Sequence, residues 1–271
     1  MTNTVAIIQA RMSSTRLPQK VLLDIQGYPM LYHVVERLRH ARHVSHIVVA
    51  TSDQEADKPI VAYVDKLAAQ VFMGSETDVL ARFWGAAQMA KADHILRITA
   101  DCPLIDPVSI DELITAHLNS GADYTSNVRR RTYPRGLDAE VFSMETLRQT
   151  YLLSSKLPHR EHVTPFIYEN PDRFRLLDFD ATGELRRPDI RLCVDTAADL
   201  ALLREIYHRF YEPGKIIDVR AVICWLDTAP EWKTINTDAE QEHLHRNARE
   251  GIRQIKVESQ RGQEKDQIGD H

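Results

Sequence analysis

Three stretches of this chain carry side chains that could act together on a charged ligand. The first, AIIQARMSSTRLPQKVLL over residues 6–23, leaves an apolar run and at once sets down Arg11, Ser13, Ser14, Thr15, Arg16 and Lys20. No acid appears before Asp24. The second is Thr99-Ala100-Asp101-Cys102-Pro103 and the third Val194-Asp195-Thr196, each placing a carboxylate just after an apolar run. Arginine and lysine neutralise phosphate oxygens, and aspartate oxygens suit Mg²⁺, a hard ion that prefers oxygen ligands. Cations and carboxylates at one edge of a sheet match a metal–polyphosphate site. The loop has no GxxxxGKS/T pattern and no GxGxxG is present, so it is neither an ordinary P-loop nor a dinucleotide fingerprint.

Composition narrows the ligand further. The chain has 271 residues, 43% of them hydrophobic, enough to bury a full core and to exclude wholesale disorder. Its net charge of −5 argues against a general nucleic-acid binder, which needs a broad basic face. Residues 1–50 hold six Lys/Arg against two acids, so the positive charge is concentrated near the start. A local cationic site on an acidic protein suits a small anionic ligand. Three cysteines without metal-type spacing, no signal-peptide core and no apolar run near the ~18 residues of a membrane span predict a cytoplasmic protein without a membrane partner.

The elements that must position these residues alternate. Val5–Gln9 reads as a buried strand, Pro29–Arg42 as a helix, His46–Thr51 as a strand and Ala56–Ala69 as a helix. Val71-Phe72 is a brief strand. Thr77–Ala90 is a helix opened by Ser75, Glu76 and Asp78, His94–Thr99 a strand and Pro107–Asn119 a helix. This βα alternation predicts an α/β fold: a mainly parallel sheet with helices on both faces. Ligands of such sheets bind beyond the carboxyl ends of the strands, where all three stretches fall.

The rhythm changes after Gly121. Strand-like pieces at Asp123–Asn127 and Ala139–Phe142 flank the cationic loop from Arg129 to Gly136, and a helix follows at Met144–Leu153. Then come His159-Arg160-Glu161-His162, returning strands at Phe174–Asp180 and Ile190–Val194, and helices at Ala197–Phe210 and Asp218–Leu226. An acceptor-binding and dimer-forming arm is expected at about 123–170, within one domain spanning 1–249. Arg135, His159, Arg160 and Glu161 are its candidate acceptor contacts, because paired guanidinium donors suit a carboxylate or phosphonate. A charged flap is the alternative, and the His spacing supplies no third ligand for zinc. Residues 250–271 are polar and aperiodic, which predicts a disordered tail.

A-R-M-S-S-T-R-L-P-Q-K resembles the nucleotide-binding signature of the cytidylyltransferases that activate KDO and acylneuraminate sugars. R-I-T-A-D-C-P-L-I-D, R-T-Y-P-R-G-L-D, H-R-E-H-V-T-P and V-D-T-A-A-D-L are similar to one branch, the spore-coat polysaccharide biosynthesis protein F-like proteins. The resemblance covers roughly residues 4–228. It implies a Rossmann-like nucleotidyltransferase sheet of the glycosyltransferase-A type and Mg²⁺-dependent transfer of CMP from CTP to an anionic acceptor, with a homodimer expected. It places Arg11 and Lys20 among the triphosphate cations, with Arg16 as a further one. Ala10, Ser14 and Thr99 fall among the nucleotide contacts, and Asp101 and Asp195 on the two Mg²⁺-binding aspartates. Arg11, Lys20, Asp101 and Asp195 are thus the catalytic set. Two departures matter: Gln19 and Ala100 stand where the family usually has glycine, which tolerates a positive φ far better. Asp195 could also cap the helix near Ala197, and Asp199 reads as a dipole-compensating residue. A glycosyltransferase using a nucleotide-sugar, or a non-catalytic nucleotide-binding protein, is the alternative function.

Overall fold

The computed structural model describes residues 2–237. Its first half contains β1 (Thr4–Gln9), β2 (Asp24–Ile25), β3 (Tyr28–Pro29), α1 (Met30–Arg39), β4 (His46–Ser52), α2 (Lys58–Val64), β5 (Gln70–Gly74), α3 (Val79–Met89) and β6 (His94–Thr99). There follow α4 (Pro107–Ser120), β7 (Tyr124–Ser126), β8 (Glu140–Ser143), α5 (Met144–Leu153), α6 (Leu157–His162) and α7 (Pro165–Tyr168). The described part closes with β9 (Leu176–Asp178), α8 (Ala197–Phe210), α9 (Val219–Thr228) and α10 (Pro230–Thr234). The expected tail at 250–271, and the last residues of the expected domain, lie outside the described residues.

Seven strands form one sheet in the order β5-β4-β1-β6-β8-β7-β9. Every pairing is parallel except the two made by β8, which runs antiparallel to β6 and to β7. Successive side chains on a strand face opposite ways, and both faces here are apolar. Val5, Ile7, Val48 and Ile95 pack against Val79, Phe83, Leu147 and Ile167 on one side. Ala6, Ile8, Val49 and Leu96 pack against Leu31, Val35, Ile110 and Leu113 on the other. Burying such a side chain contributes about 1.5–3 kcal/mol, which fixes register as well as stability. Several helices begin where short polar side chains satisfy their first N–H groups. The carboxylate of Asp78 accepts from Ala81 N, that of Asp106 from Ser109 N, and the Ser143 hydroxyl from Thr146 N.

Two expectations need correction. The helix foreseen over Ala56–Ala69 is shorter, α2 being flanked by 3₁₀ turns at Glu55–Asp57 and Asp65–Leu67. Ile190–Val194 is not a strand of the sheet. It is an extended segment with a single bridge between Arg191 and Arg135. Its backbone groups bond to loops instead: Leu192 N donates to Arg135 O at 2.7 Å and Val194 N to Asp101 O at 2.9 Å. Gly136 permits this crossing. It has φ +103°, and a Cβ there would lie 2.5 Å from the Leu192 carbonyl carbon.

These pairings bring the site together. Gln9 and Thr99 are register partners at the ends of β1 and β6, so the loops after them emerge side by side. The crossing segment brings Asp195 to the same edge. A third apolar cluster seats it from below, where Leu192 and Val194 pack with Leu104, Leu203 and Ile206 of α8, and Ile223 of α9.

Candidate active site

The loop after β1 folds back on itself. Ser14 N and Gln19 N both donate to Met12 O, at 2.9 and 3.1 Å. Met12 N in turn donates at 2.7 Å to Oδ1 of the buried Asp57. Ala10 lies buried beneath, its N–H donating to Ala50 O at 3.2 Å. Ser14 Oγ accepts a long 3.5 Å bond from Leu17 N. Gln19 takes the left-handed conformation, φ 58° and ψ 19°, at the glycine position of the signature. Side chains there cost about 1–2 kcal/mol, so this loop holds a strained residue directly before Lys20. Ala100 needs no such tolerance, since it is not among the residues with positive φ.

The loop is one wall of a cleft of about 260 Å³. Its lining includes Arg11, Ser14, Arg16, Lys20, Thr99, Asp101 and Asp195, bringing together residues predicted from three distant stretches. Lys20 Nζ donates to Asp101 Oδ2 at 2.6 Å, Asp195 Oδ1 at 2.8 Å and Val194 O at 3.0 Å. Arg16 Nη2 lies 2.9 Å from Asp195 Oδ1, while its Nη1 is buried with no hydrogen-bond partner among the described residues. Arg11 is exposed on the rim. The two carboxylates are held at their other oxygens as well: Thr99 Oγ1 donates to Asp101 Oδ1 at 2.6 Å, and Arg191 Nη2 to Asp195 Oδ2 at 2.8 Å.

The charges tune one another. Burial alone would lower the Lys20 ammonium, but Asp101 and Asp195 outweigh it and raise the group above its ordinary value. Burial would likewise raise both carboxyls, yet Lys20 holds Asp101 and Asp195 below the usual carboxylate range. Arg16 and Arg191 add to this at Asp195. Lys20, Asp101 and Asp195 are therefore ionised at neutral pH.

Asp195 does not cap α8. Thr196 does, in a capping box with Asp199, which leaves the Asp195 carboxylate turned to the cleft. Asp199 is wholly buried and does more than compensate a helix dipole. It accepts from Arg191 Nε, Asp195 N and Thr196 N, each at 2.9 Å.

The arm residues lie elsewhere. Arg160 Nε donates to Asp78 Oδ2 and its Nη1 to Tyr151 O, both at 2.9 Å, which ties α6 to the start of α3. His159 is buried with Nε2 2.8 Å from Glu169 Oε2, and Glu161 is exposed. Arg135 meets the crossing segment through its backbone. None of these four lines the cleft. Sequence reasoning missed Gln9, which lines the cleft, and Asp57, Arg191 and the close approach at Gly136. Asp57 and Gly136 act on partners 45 or more residues away, a relation that periodicity and local spacing do not carry, while Arg191 acts on Asp195 and Asp199 nearby in sequence.

A mostly parallel sheet whose carboxyl edge sets three cations against two carboxylates in one cleft defines a nucleotidyltransferase. The chain belongs to the cytidylyltransferase family, whose model matches residues 5–219. It is 35% identical over 241 residues to spore coat polysaccharide biosynthesis protein SpsF of Bacillus subtilis, covering 86% of this chain and 98% of that one. Over 117 residues it is 44% identical to 3-deoxy-manno-octulosonate cytidylyltransferase of Geobacter sulfurreducens, covering 41% of this chain and 44% of that one. A solved cytidylyltransferase from Leptospira borgpetersenii superposes with a TM-score of 0.79 at 28% identity, covering 86% of this chain and 97% of that one.

Proposed function

We propose that this protein transfers CMP from CTP to an anionic acceptor, an acidic sugar, a related polysaccharide precursor or a phosphonate, with Mg²⁺ as cofactor and release of pyrophosphate. The observation that carries the reading is the convergence of Arg11, Arg16 and Lys20 on the cleft that also holds Asp101 and Asp195. A triphosphate brings about four negative charges, and Arg16 Nη1, which has no partner among the described residues, can donate to one of its oxygens.

The donor set fits a hard divalent ion. Asp101 Oδ2, Asp195 Oδ1 and Val194 O already converge on one cationic point, at 2.6, 2.8 and 3.0 Å from Lys20 Nζ. Mg²⁺ usually binds through one or two carboxylates plus substrate phosphates, so two aspartates suffice. When bound, the ion supplies charge neutralisation at the phosphate oxygens. An acceptor oxygen forms the new bond to the α-phosphorus as the bond to the bridging oxygen of the β-phosphate breaks. Pyrophosphate departs with the electron pair of that bond. Arg11, Arg16 and Lys20 stabilise the oxygens that gain charge, and the short bond from Thr99 keeps Asp101 oriented. No protein nucleophile is required.

We place the acceptor between the cleft and the arm, with Arg135, His159, Arg160 and Glu161 as its candidate contacts on the arm and Arg135 first among them. The exposed Leu152, Leu153 and Leu157 on the same arm suit a homodimer contact. Among the described residues no helix is long and apolar enough to cross a membrane. The direct test is pyrophosphate release with each of the four nucleoside triphosphates, Mg²⁺ and a panel of acidic sugars and phosphonates. CTP-specific release that requires an acceptor supports the proposal. Release of a nucleoside diphosphate from a nucleotide-sugar supports a glycosyltransferase instead.

A further inference from the structure

We propose that Lys20 is the exchangeable cation of the metal position. In the nucleotide-free protein its ammonium sits between Asp101 and Asp195, where a divalent ion would bind, and it moves to the triphosphate when ion and nucleotide enter together. The inference rests on the metal-dependent nucleotidyl-transfer reading above and adds to it a coupling between the two ligands.

The argument is one of saturated valence. An ammonium has three N–H donors. Those of Lys20 are matched by three oxygens: Asp101 Oδ2 at 2.6 Å, Asp195 Oδ1 at 2.8 Å and Val194 O at 3.0 Å. In this geometry Lys20 has no donor left for a phosphate, so binding one requires it to break a bond already made. The carboxylates are committed in the same way. Asp101 Oδ1 accepts from Thr99 Oγ1 at 2.6 Å, and Asp195 Oδ2 from Arg191 Nη2 at 2.8 Å. The oxygens left to face an incoming metal are the two that Lys20 holds, one of them shared with Arg16 at 2.9 Å. Metal and ammonium therefore compete for the same atoms.

Competition sets the order of events. A divalent ion arriving alone must displace Lys20 into water, which hydrates the ammonium but replaces neither of its ion pairs. Arriving with a triphosphate, it displaces Lys20 onto phosphate oxygens, a partner of equal strength. Each ligand then strengthens the other, and the reciprocity of linkage requires the factor to be the same in both directions. The movement needs only rotation about the four-carbon stem of Lys20, at the start of the short turn Lys20–Leu22. The site thus discriminates against free metal ions and against nucleotide without metal.

The experiment is titration of the nucleotide-free full chain with Mn²⁺, followed by electron paramagnetic resonance of the free ion. Wild type is compared with Lys20→Met, and with Lys20→Gln should the first variant fold poorly. Removing the competitor should tighten Mn²⁺ binding by about tenfold or more, within the usual range of coupling factors. Arg16→Met is the control: it deletes a charge 2.9 Å from Asp195 that bonds only one of the two carboxylates, and its effect should be clearly smaller. Equal Mn²⁺ affinity in wild type and the Lys20 variants overturns the inference. So does an effect of Arg16→Met as large as that of Lys20→Met, since that is general electrostatics rather than exchange. The underlying metal reading has its own arm. Adding Asp101→Asn to Lys20→Met should abolish the tight binding. If it does not, or if no variant binds Mn²⁺ with or without the α,β-methylene analogue of CTP, the metal reading falls together with the inference.

Discussion

Arg191 and Asp195 are bound to each other, Nη2 to Oδ2 at 2.8 Å, so that the carboxylate beside the cleft is held from behind by a buried guanidinium. Arg191 is held in turn through Nε by Asp199 Oδ1 at 2.9 Å, and Asn236 Nδ2 donates to that same oxygen at 2.8 Å. A candidate metal ligand is thus fixed by a buried charge pair rather than by its own loop. Asp199→Ala removes a wholly buried carboxylate and leaves Arg191 with Asp195 as a remaining carboxylate partner, so the loss falls toward the lower end of the range for a broken buried pair. Breaking such a pair from one side costs about 3–5 kcal/mol. Urea denaturation at neutral pH should show a loss of this order, and an unchanged midpoint would mean that Asp199 does not organise the site.

Asp101→Asn and Asp195→Asn should behave differently from that variant. Each keeps the shape of the side chain and removes only a charge, so the fold should persist. An amide is a neutral and weaker ligand for a hard cation. Turnover should fall by about a hundredfold or more, the scale for losing one electrostatic contact to a reacting centre. Normal turnover by both variants at limiting Mg²⁺ would end their assignment as metal ligands.

Arg11 is exposed on the rim of the cleft, where its proposed partners are phosphate oxygens. Arg11→Ala should therefore weaken CTP more than CMP, which lacks the β- and γ-phosphates. Isothermal calorimetry of the two nucleotides separates the cases. Equal weakening would move Arg11 to the nucleoside, and no weakening would remove it from the site.

Two buried histidines set an acid limit on stability. Burial lowers His33 and His117 from an ordinary value of 6.5 to about 4 each, and the neighbouring His94 adds to the effect at His117. The ring bond of His33 to Ile25 O at 2.8 Å opposes this lowering but does not cancel it. Because the folded values lie below the unfolded one, the unfolded chain binds more protons between pH 6.5 and 4. Stability is then fully present above pH 6.5 and is lost as pH falls through that window, on the order of 2–3 kcal/mol for each histidine by pH 4. Urea midpoints at pH 7 and pH 5 measure the slope. His117→Asn should flatten it, and an unaltered slope would show that His117 titrates normally in the folded state.

Local signals account for what could be read in advance. The limits of β6, α5 and α8 fall where the apolar run or helical period begins and ends, and capping residues mark the two helices. The cation loop and Asp101 were legible because strand ends in a parallel sheet share one edge, whereas Asp195 reaches that edge on the crossing segment. Ile190–Val194 was misread because its apolar residues serve a packing cluster and its backbone bonds to loops at Asp101 and Arg135. Antiparallel β8 was equally hidden, since direction of pairing leaves no trace in alternation. Arg160 and His159 looked like ligand-binding groups by composition, yet their polar atoms meet Asp78 and Glu169 within the protein.

The arm is testable through Arg135 and Arg160. Arg135 lies in the loop whose backbone meets Arg191 and, one residue on, crosses Leu192 at Gly136, so it stands beside the segment that delivers Asp195. Arg160 stands apart, committed to Asp78 and stacked 4.8 Å from the Tyr151 ring. If Arg135 grips the acceptor's anionic group, Arg135→Ala should remove a charged hydrogen bond of about 1.5–3 kcal/mol. Acceptor KM would then rise roughly ten- to hundredfold while CTP affinity holds. Arg160→Ala should instead loosen the packing of α6 on α3 and lower the melting temperature, with a smaller effect on acceptor KM than Arg135→Ala. Nucleotide titration, acceptor saturation and thermal melting of both variants separate these outcomes. A loss of CTP affinity in Arg135→Ala with unaltered acceptor saturation would assign that guanidinium to the nucleotide and leave the acceptor to be sought away from the arm.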